Sequence, residues 1–142
     1  MRTMTVRGDS SPRTDELTEN AYIIRKGIQP FEDTQEDGTV SQGYTWTEVR
    51  LEREEYLAVR EGRLPPGAAW TTDLRRIERG ALLDRADVLL AEAEDHIAAD
   101  GDSAWTAYRS AVHSYKLAVR DTINQATFPA EVVYPAVPVQ PE

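Results

Sequence analysis

The clearest pattern of apolar and polar positions lies in the C-terminal third of the chain. Six apolar or aromatic residues recur there at steps of three and four, the spacing of one helix face: Trp105, Tyr108, Val112, Tyr115, Val119 and Ile123. A preceding stretch from Asp73 carries two apolar stripes that change direction at Gly80, which predicts a kinked helix or a helix buried on two sides. The polar turn 100–103 between them is suited to end one helix and cap the next. We therefore expect an antiparallel helical hairpin over residues 73–126.

The N-terminal half carries the shorter patterns of β-strands. Residues 22–24 form a β-favouring run that ends at Gly27, residues 44–51 form a second one, and the polar segment between them contains Asp37-Gly38, a strong hairpin signal. A short capped helix follows, which predicts a small β-containing module over residues 21–62. Residues 1–20 show no periodicity and are expected to form an extended or disordered, flexible arm.

Proline-rich segments flank the predicted helical hairpin. Residues 63–72 contain Pro65-Pro66-Gly67, a stiff connector, and Thr71 or Thr72 can cap the next helix. The last sixteen residues, 127–142, have a proline at every third position near their end, which favours polyproline II geometry. The predicted fold class is thus α+β: a small N-terminal antiparallel β-hairpin plus a short helix, then a long antiparallel helical hairpin and an extended C-terminal strand or polyproline tail.

Composition and charge narrow the class of protein. The chain has 142 residues and is 40% hydrophobic, which is typical of a globular domain. Twenty-five acidic against sixteen basic residues give a net charge of −9, a field that repels phosphate backbones and anionic lipids. With no apolar run long enough for a membrane span and no signal-peptide pattern, we expect a cytosolic protein without nucleic-acid or membrane partners.

No group of residues predicts catalysis. The chain has no cysteine and only two histidines, His96 and His113, each best explained as a surface side chain. The acidic residues around Asp100 and Asp102 lack the glycine and glutamate of a calcium loop, which favours a solvated turn and leaves open a docking patch for a basic partner. Glycine-rich phosphate loops and hydrolase serine motifs are missing as well. We expect no enzyme, no metal site and no cofactor.

Two sequence blocks near the C-terminus resemble a known family. VHSYKLAVRD at 112–121 and FPAEVVYPAVP at 128–138 are separated by six residues. This arrangement is similar to the C-terminal signature of bacteriophage tail-fibre assembly proteins, Trp-x-x-Tyr-Arg-x-x-Leu-Arg-Asp followed by Phe-Pro-x-x-Val-Val-Trp-Pro-x-x-Pro. The chain departs from that signature at Val112, Lys116 and Tyr134, where the family has Trp, Arg and Trp.

The resemblance implies a non-enzymatic chaperone or assembly factor. Proteins of that family help tail fibres fold, trimerise or attach, and some stay bound to the fibre. It implies a phage tail-fibre or other tail protein as partner, in the bacterial host cytoplasm during assembly and with retention in the virion tail as a variant. The predicted partner-binding residues are the apolar and aromatic groups near the C-terminus: Tyr115, Phe128, Pro129, Val132, Val133, Tyr134, Pro135 and Pro138.

Several alternatives stay open from the sequence. The tail either adds a strand to an exposed sheet edge of the fibre or folds back on its own helices. The protein is either a transient chaperone or a permanent structural component, a plug or adaptor in the tail or baseplate. The segment Pro135-x-x-Pro138 can also serve as a ligand for an aromatic groove. The oligomeric state, including a homo-oligomer, is left undetermined.

Overall fold

The computed structural model of the protein describes residues 1–65 and 70–142. Two compact units make up the chain, Met1–Ala58 and Val59–Glu142. The first contains an antiparallel sheet and the second a helical hairpin followed by an extended tail, which confirms the predicted α+β class. Pro66 and Gly67 of the predicted connector lie outside the described residues.

Four antiparallel strands form the sheet of the first unit, in the order β1-β4-β3-β2. Their bounds are Arg2–Gly8 for β1, Asp15–Leu17 for β2, Ala21–Thr34 for β3 and Val40–Glu52 for β4. The prediction of a flexible arm over residues 1–20 is therefore wrong, because β1 pairs with β4 along its whole length. Both new strands lie at sheet edges and stay largely exposed, so no buried face imposes an alternating pattern on their sequence.

The central hairpin of the sheet is longer than its sequence pattern predicts. The loop between β3 and β4 turns at Gly38, whose φ of 83° is left-handed, and the N–H of Thr39 donates to Asp37 at 2.9 Å, which confirms the turn prediction. The predicted end of the first strand at Gly27 is wrong. Gly27 has φ of 62° and lies at a register shift between Lys26 and Gln29, so the strand bulges there and continues.

Both faces of the sheet carry buried apolar side chains. Ile24, Val49 and Leu51 share one face and are exposed by no more than 1%. On that face Tyr22 stacks on Tyr56 of helix α1, Arg53–Arg60, with ring centroids 4.7 Å apart. α1 thus packs on the sheet that precedes it.

The opposite face of the sheet holds an ion pair beneath a tryptophan. Arg25 donates to Glu48 at 2.9 Å and to Glu16 at 2.8 Å, and the indole N–H of Trp46 donates to Glu48 at 3.0 Å. Burial opposes ionisation of Glu48, but the hydrogen bonds and charge of Arg25 lower its pKa overall. The carboxylate therefore stays charged and fixes the Trp46 ring.

A long helical hairpin forms the body of the second unit. Its helices are α2, Thr71–Asp100, and α3, Ser103–Asp121, which is followed by a 3₁₀ turn, Thr122–Asn124. α2 begins two residues before the predicted start at Asp73 and continues through Gly80. Its buried residues lie on two sides, Leu74, Ile77 and Ala81 on one and Ala86 and Ala93 on the other, which agrees with the second of the two predicted alternatives.

The turn of the hairpin follows the predicted capping chemistry. Gly101 adopts φ of 63° and its N–H donates to the carbonyl of Ile97 at 2.8 Å, which ends α2. The side chain of Asp102 accepts from the N–H of Ala104 at 2.8 Å, which starts α3. The described helices of the protein include none that is both long and apolar enough to cross a membrane.

The core of the helical hairpin pairs small residues with large ones. α3 contributes Tyr108, Val112, Tyr115 and Val119, and α2 faces them with Ala86 and Ala93, whose small side chains leave room for the aromatic rings. Partly buried residues complete the cluster: Leu82, Leu83, Leu89, Leu90, Trp105 and Tyr134. Tyr134 comes from the C-terminal tail, so the tail folds back on its own helices.

Candidate functional site

The C-terminal tail runs along α2 in the direction of that helix. After a turn over residues 125–130, the chain extends from 131 to 142 without helix or strand. Its carbonyls at Pro129 and Ala130 contact Arg75 near the start of α2, and Gln140 donates to Glu92 two-thirds of the way along. The residue number rises along the tail and along α2 from the first contact to the second, so the tail lies parallel to α2.

Arg75 holds the beginning of the tail by its backbone. Its Nε donates to the carbonyl of Pro129 at 2.9 Å and its Nη2 to that of Ala130 at 3.0 Å. The remaining Nη1 donates to Glu78 at 2.7 Å, and the two side chains are only 15% and 8% exposed. A buried charge is costly unless it is paired, so Glu78 stabilises the guanidinium that contacts the tail.

Gln125 holds Val133 by a second contact, which we call the Gln125 clamp. The side-chain Oε1 accepts from the N–H of Val133 at 2.9 Å, and Nε2 donates to the carbonyl of Val133 at 2.6 Å. Both backbone groups of one residue are thus satisfied by one carboxamide. Between these two residues, Thr127 bonds both the N–H and the carbonyl of Glu131, which closes the turn.

Tyr134 anchors the tail in the core of the helical hairpin. Its ring packs against the cluster formed by α2 and α3. Burial raises the pKa of Tyr134 to about 12, the negative charge of Glu78 adds to this effect, and the positive charge of Arg75 opposes it. The phenol is therefore neutral at physiological pH.

Every third residue of the tail is half-buried against the rest of the second unit. Residues 129, 132, 135, 138 and 141 are all half-buried, whereas most of the residues between them are exposed. A period of three is that of a polyproline II helix, the geometry that the spacing of the prolines predicts. The rest of the tail, which we call its outward edge, carries three exposed valines: Val133 and Val139 at one phase of the period, 75% and 90% exposed, and Val137 at the other, 54% exposed.

An apolar cavity of about 390 Å³ lies between the helical hairpin and the distal tail. Val137 lines it together with Leu82, Val88, Leu89 and Tyr115. The distal half of the tail therefore packs less closely than the half that contains Tyr134. Apolar surface at this position stays accessible beside the exposed valines.

The structure brings most of the predicted partner-binding residues into one strip, but it divides them by exposure. Tyr115 is 6% exposed and belongs to the hairpin core, and burial raises its pKa. Tyr134 is half-buried on the same core, so neither ring is offered to a partner in this conformation. The half-buried residues of the tail face the hairpin too: Phe128, Pro129, Val132, Pro135 and Pro138. Only Val133 of the predicted set is exposed.

Four residues of the site were not predicted from the sequence. Arg75 and Gln125 bind backbone groups, which any residue type can supply, so no sequence signal marks them as a pair with the tail. Val137 and Val139 lie outside the conserved positions of the family signature. The proline period of three was the available signal, because it places both valines off the edge that carries the prolines.

Other parts of the described chain contain fewer features that could form a functional site. No group of three or more His, Cys, Asp and Glu side chains within residues 1–65 and 70–142 could hold a metal ion. His96 stacks on Trp105 with ring centroids 3.8 Å apart. The first unit has an open cavity of about 510 Å³ at the hairpin, lined by Asp9, Pro30, Phe31, Glu32, Gln42, Gly43 and Tyr44.

Comparisons of the chain with protein-family models, with curated proteins and with solved structures found no match. The likeness to tail-fibre assembly proteins therefore rests on the two sequence blocks at 112–121 and 128–138.

Proposed function

We propose that the protein is a non-enzymatic assembly factor of a bacteriophage tail fibre, and that it binds the fibre protein through the outward edge of its docked tail. The observation that carries this proposal is the row of exposed valines, Val133, Val137 and Val139, on a tail that its own helices hold in place. The same segment contains the second block of the family signature.

A held tail supports binding for an energetic reason. A disordered segment must be ordered when it binds, and that cost is subtracted from the affinity. Here Arg75 and Tyr134 fix the tail before any partner arrives. The valines are thus presented on a preorganised edge, and their burial in a complex stabilises it by about 25 cal/mol for each Å² of apolar surface.

The hydrogen bonds of the tail limit how it can join a partner sheet. In an antiparallel ladder, a strand exchanges paired bonds at every second residue, here 131, 133 and 135. Glu131 is already bonded to Thr127, and Pro135 has no N–H. On the edge that carries Val133, contact with the fibre therefore depends mainly on side chains, and a continuous added strand is disfavoured.

Co-expression with the C-terminal region of the fibre protein tests the proposal. We expect the wild-type chain to raise the yield of soluble fibre trimer, and the triple variant Val133→Ser, Val137→Ser, Val139→Ser to lose most of that gain. Leu117→Ser is the matched control, because Leu117 is also an exposed apolar residue, 58% accessible, on the hairpin but not on the tail. An unchanged yield with the triple variant would refute the proposed binding edge.

Mass spectrometry of purified virions separates a transient chaperone from a permanent component. A chaperone is abundant in the lysate and missing from mature particles, whereas a plug or adaptor is present in fixed stoichiometry. The proposed role as an assembly factor is compatible with both results. The measurement therefore decides whether the protein leaves the fibre or stays in the virion after assembly.

A further inference from the structure

The Gln125 clamp reproduces the bonding of one rung of a β-ladder. In an antiparallel pair, two facing residues exchange both an N–H···O bond and its reverse. The carboxamide of Gln125 does this with Val133, since Oε1 accepts at 2.9 Å and Nε2 donates at 2.6 Å. A side-chain amide has the same donor and acceptor as a peptide group, so Gln125 satisfies Val133 as a neighbouring strand would.

The Gln125 clamp is easier to exchange than the contact of Arg75 with the tail. Both of its hydrogen bonds are exposed, and Gln125 is uncharged. The backbone of Gln125 is held separately, because its N–H donates to Thr122 and its carbonyl accepts from Phe128. The side chain can therefore rotate away without moving the turn. By contrast, Arg75 is largely buried and ion-paired with Glu78, so releasing its contacts costs more.

The side chain of Val133 lies at the same position and is 75% exposed. Its neighbours in a ladder, Glu131 and Pro135, have no N–H available for a partner. On the edge of the tail that the clamp occupies, one rung at Val133 is thus the single complete backbone exchange open to a partner between residues 131 and 135.

We infer that Gln125 occupies, in the unbound protein, the hydrogen-bonding positions that an extended segment of the fibre protein takes on Val133 in the complex. This inference rests on the proposed function. It adds that the fibre contacts the backbone of Val133 and that the side chain of Gln125 competes for the same hydrogen bonds. The carboxamide keeps the Val133 backbone satisfied and in register until an extended chain with a free peptide group replaces it. Gln125 is a positioning residue, and it competes with the partner.

The test uses the full chain and the C-terminal region of the fibre as the binding probe. Because the carboxamide competes with the fibre, Gln125→Ala should bind it about five- to tenfold more tightly in calorimetry, the factor that corresponds to losing a competing hydrogen-bonded state. Gln140→Ala is the matched control, since it removes another exposed glutamine contact on the tail, the one with Glu92. We expect its affinity to equal that of the wild type.

Hydrogen exchange by NMR reads the clamp directly. In the free chain, Gln125→Ala should speed exchange of the Val133 N–H about five- to tenfold and Gln140→Ala should not. In the wild-type complex, the Val133 N–H should stay protected while the side-chain amide protons of Gln125 exchange as fast as those of a solvent-exposed glutamine.

Three outcomes overturn the inference. Weaker or equal binding by Gln125→Ala, or a Gln125 side-chain amide that stays protected in the complex, would make Gln125 a permanent brace of the tail and leave the proposed function intact. A wild-type chain that binds no fibre would refute both the inference and the proposed function. The exchange rates of the free chain distinguish this case, because they measure the Gln125 clamp in the absence of the fibre.

Discussion

Single side chains decide where the tail lies. Arg75 recognises carbonyl oxygens, Gln125 recognises a whole peptide unit, and Tyr134 supplies the apolar anchor. Each of these contacts uses a different interaction, so the tail is held by charge-assisted bonds, neutral bonds and apolar burial at separate points. The loss of one contact leaves the others in place.

We expect ionisation of the Tyr134 phenol to weaken the contact between the tail and the helical hairpin at alkaline pH. Because burial raises its pKa to about 12, above the ordinary value of 10, the folded state binds the proton more tightly than the unfolded state does. The stabilisation is fully present below pH 10 and is lost as the pH rises toward 12. Ultraviolet titration should show that Tyr134 ionises late, and hydrogen exchange of the tail should speed up over the same interval.

Tyr134→Phe is the control for this titration. It keeps the ring in the core but has no ionisable group, so the late change in absorbance should shrink by the contribution of one tyrosine. Tyr115, whose pKa burial also raises, should still contribute. A late change of undiminished size in this variant would contradict the assignment to Tyr134.

At the scale of the elements, the strands and helices follow from ordinary local rules except for the two edge strands, β1 and β2, and the bulge at Gly27. The hairpin turn at Gly38, the end of α2 at Gly101 and the cap of α3 at Asp102 could be predicted because each is a short-range signal. The strand β1 could not, because an exposed edge strand buries no side-chain face and so leaves no alternation. The bulge at Gly27 likewise depends on pairing with β4.

We expect substitution by alanine to have opposite effects on stability at two glycines, Gly43 and Gly80. A Cβ at Gly43 in β4 would lie 2.6 Å from the carbonyl oxygen of Gly8 and 3.0 Å from the ring of Phe31, so Gly43→Ala should destabilise the chain by about 1–3 kcal/mol. Gly80 in α2 has no atom within 4 Å of the added Cβ, and Gly80→Ala should stabilise it by about 0.5–1 kcal/mol.

Urea unfolding followed by circular dichroism measures both glycine variants. The two substitutions serve as controls for each other, since they add the same methyl group to a strand and to a helix. A stabilised Gly43→Ala would mean that β1 moves away from β4 without cost, which contradicts the close strand approach in the structure.

At the scale of the whole molecule, the tail belongs to the fold of the second unit. Truncation after Thr127 removes Tyr134 from the hairpin core and leaves Glu78 and Arg75 with fewer partners. We expect a lower midpoint of thermal unfolding and stronger binding of a dye such as anilinonaphthalene sulfonate, because the groove between α2 and α3 becomes exposed.

The triple valine variant is the comparison for this truncation. Its substitutions are at exposed side chains, and of these Val137 alone also lines the cavity beside the helical hairpin, so its unfolding midpoint should fall far less than that of the truncated chain. An equal midpoint for the truncated chain would mean that the docked tail contributes nothing to stability, in conflict with the burial of Tyr134.

The sequence predicts the elements of the site better than their contacts. The long hairpin and the polyproline tail follow from periodicity and proline spacing, both of which are local. The docking of the tail on α2 depends on Arg75 meeting Pro129 and Ala130 more than fifty residues away, and a carbonyl acceptor leaves no mark on the sequence. The choice between a free and a folded-back tail therefore needed the three-dimensional structure.

The three-residue period of the docked tail restricts how its length can change during evolution. One residue inserted after Tyr134 would rotate everything that follows by a third of a turn, which would point the prolines at solvent and Val137 and Val139 elsewhere. An insertion or deletion of three residues restores the phase. Natural or engineered length variants of this tail should accordingly be tolerated in multiples of three.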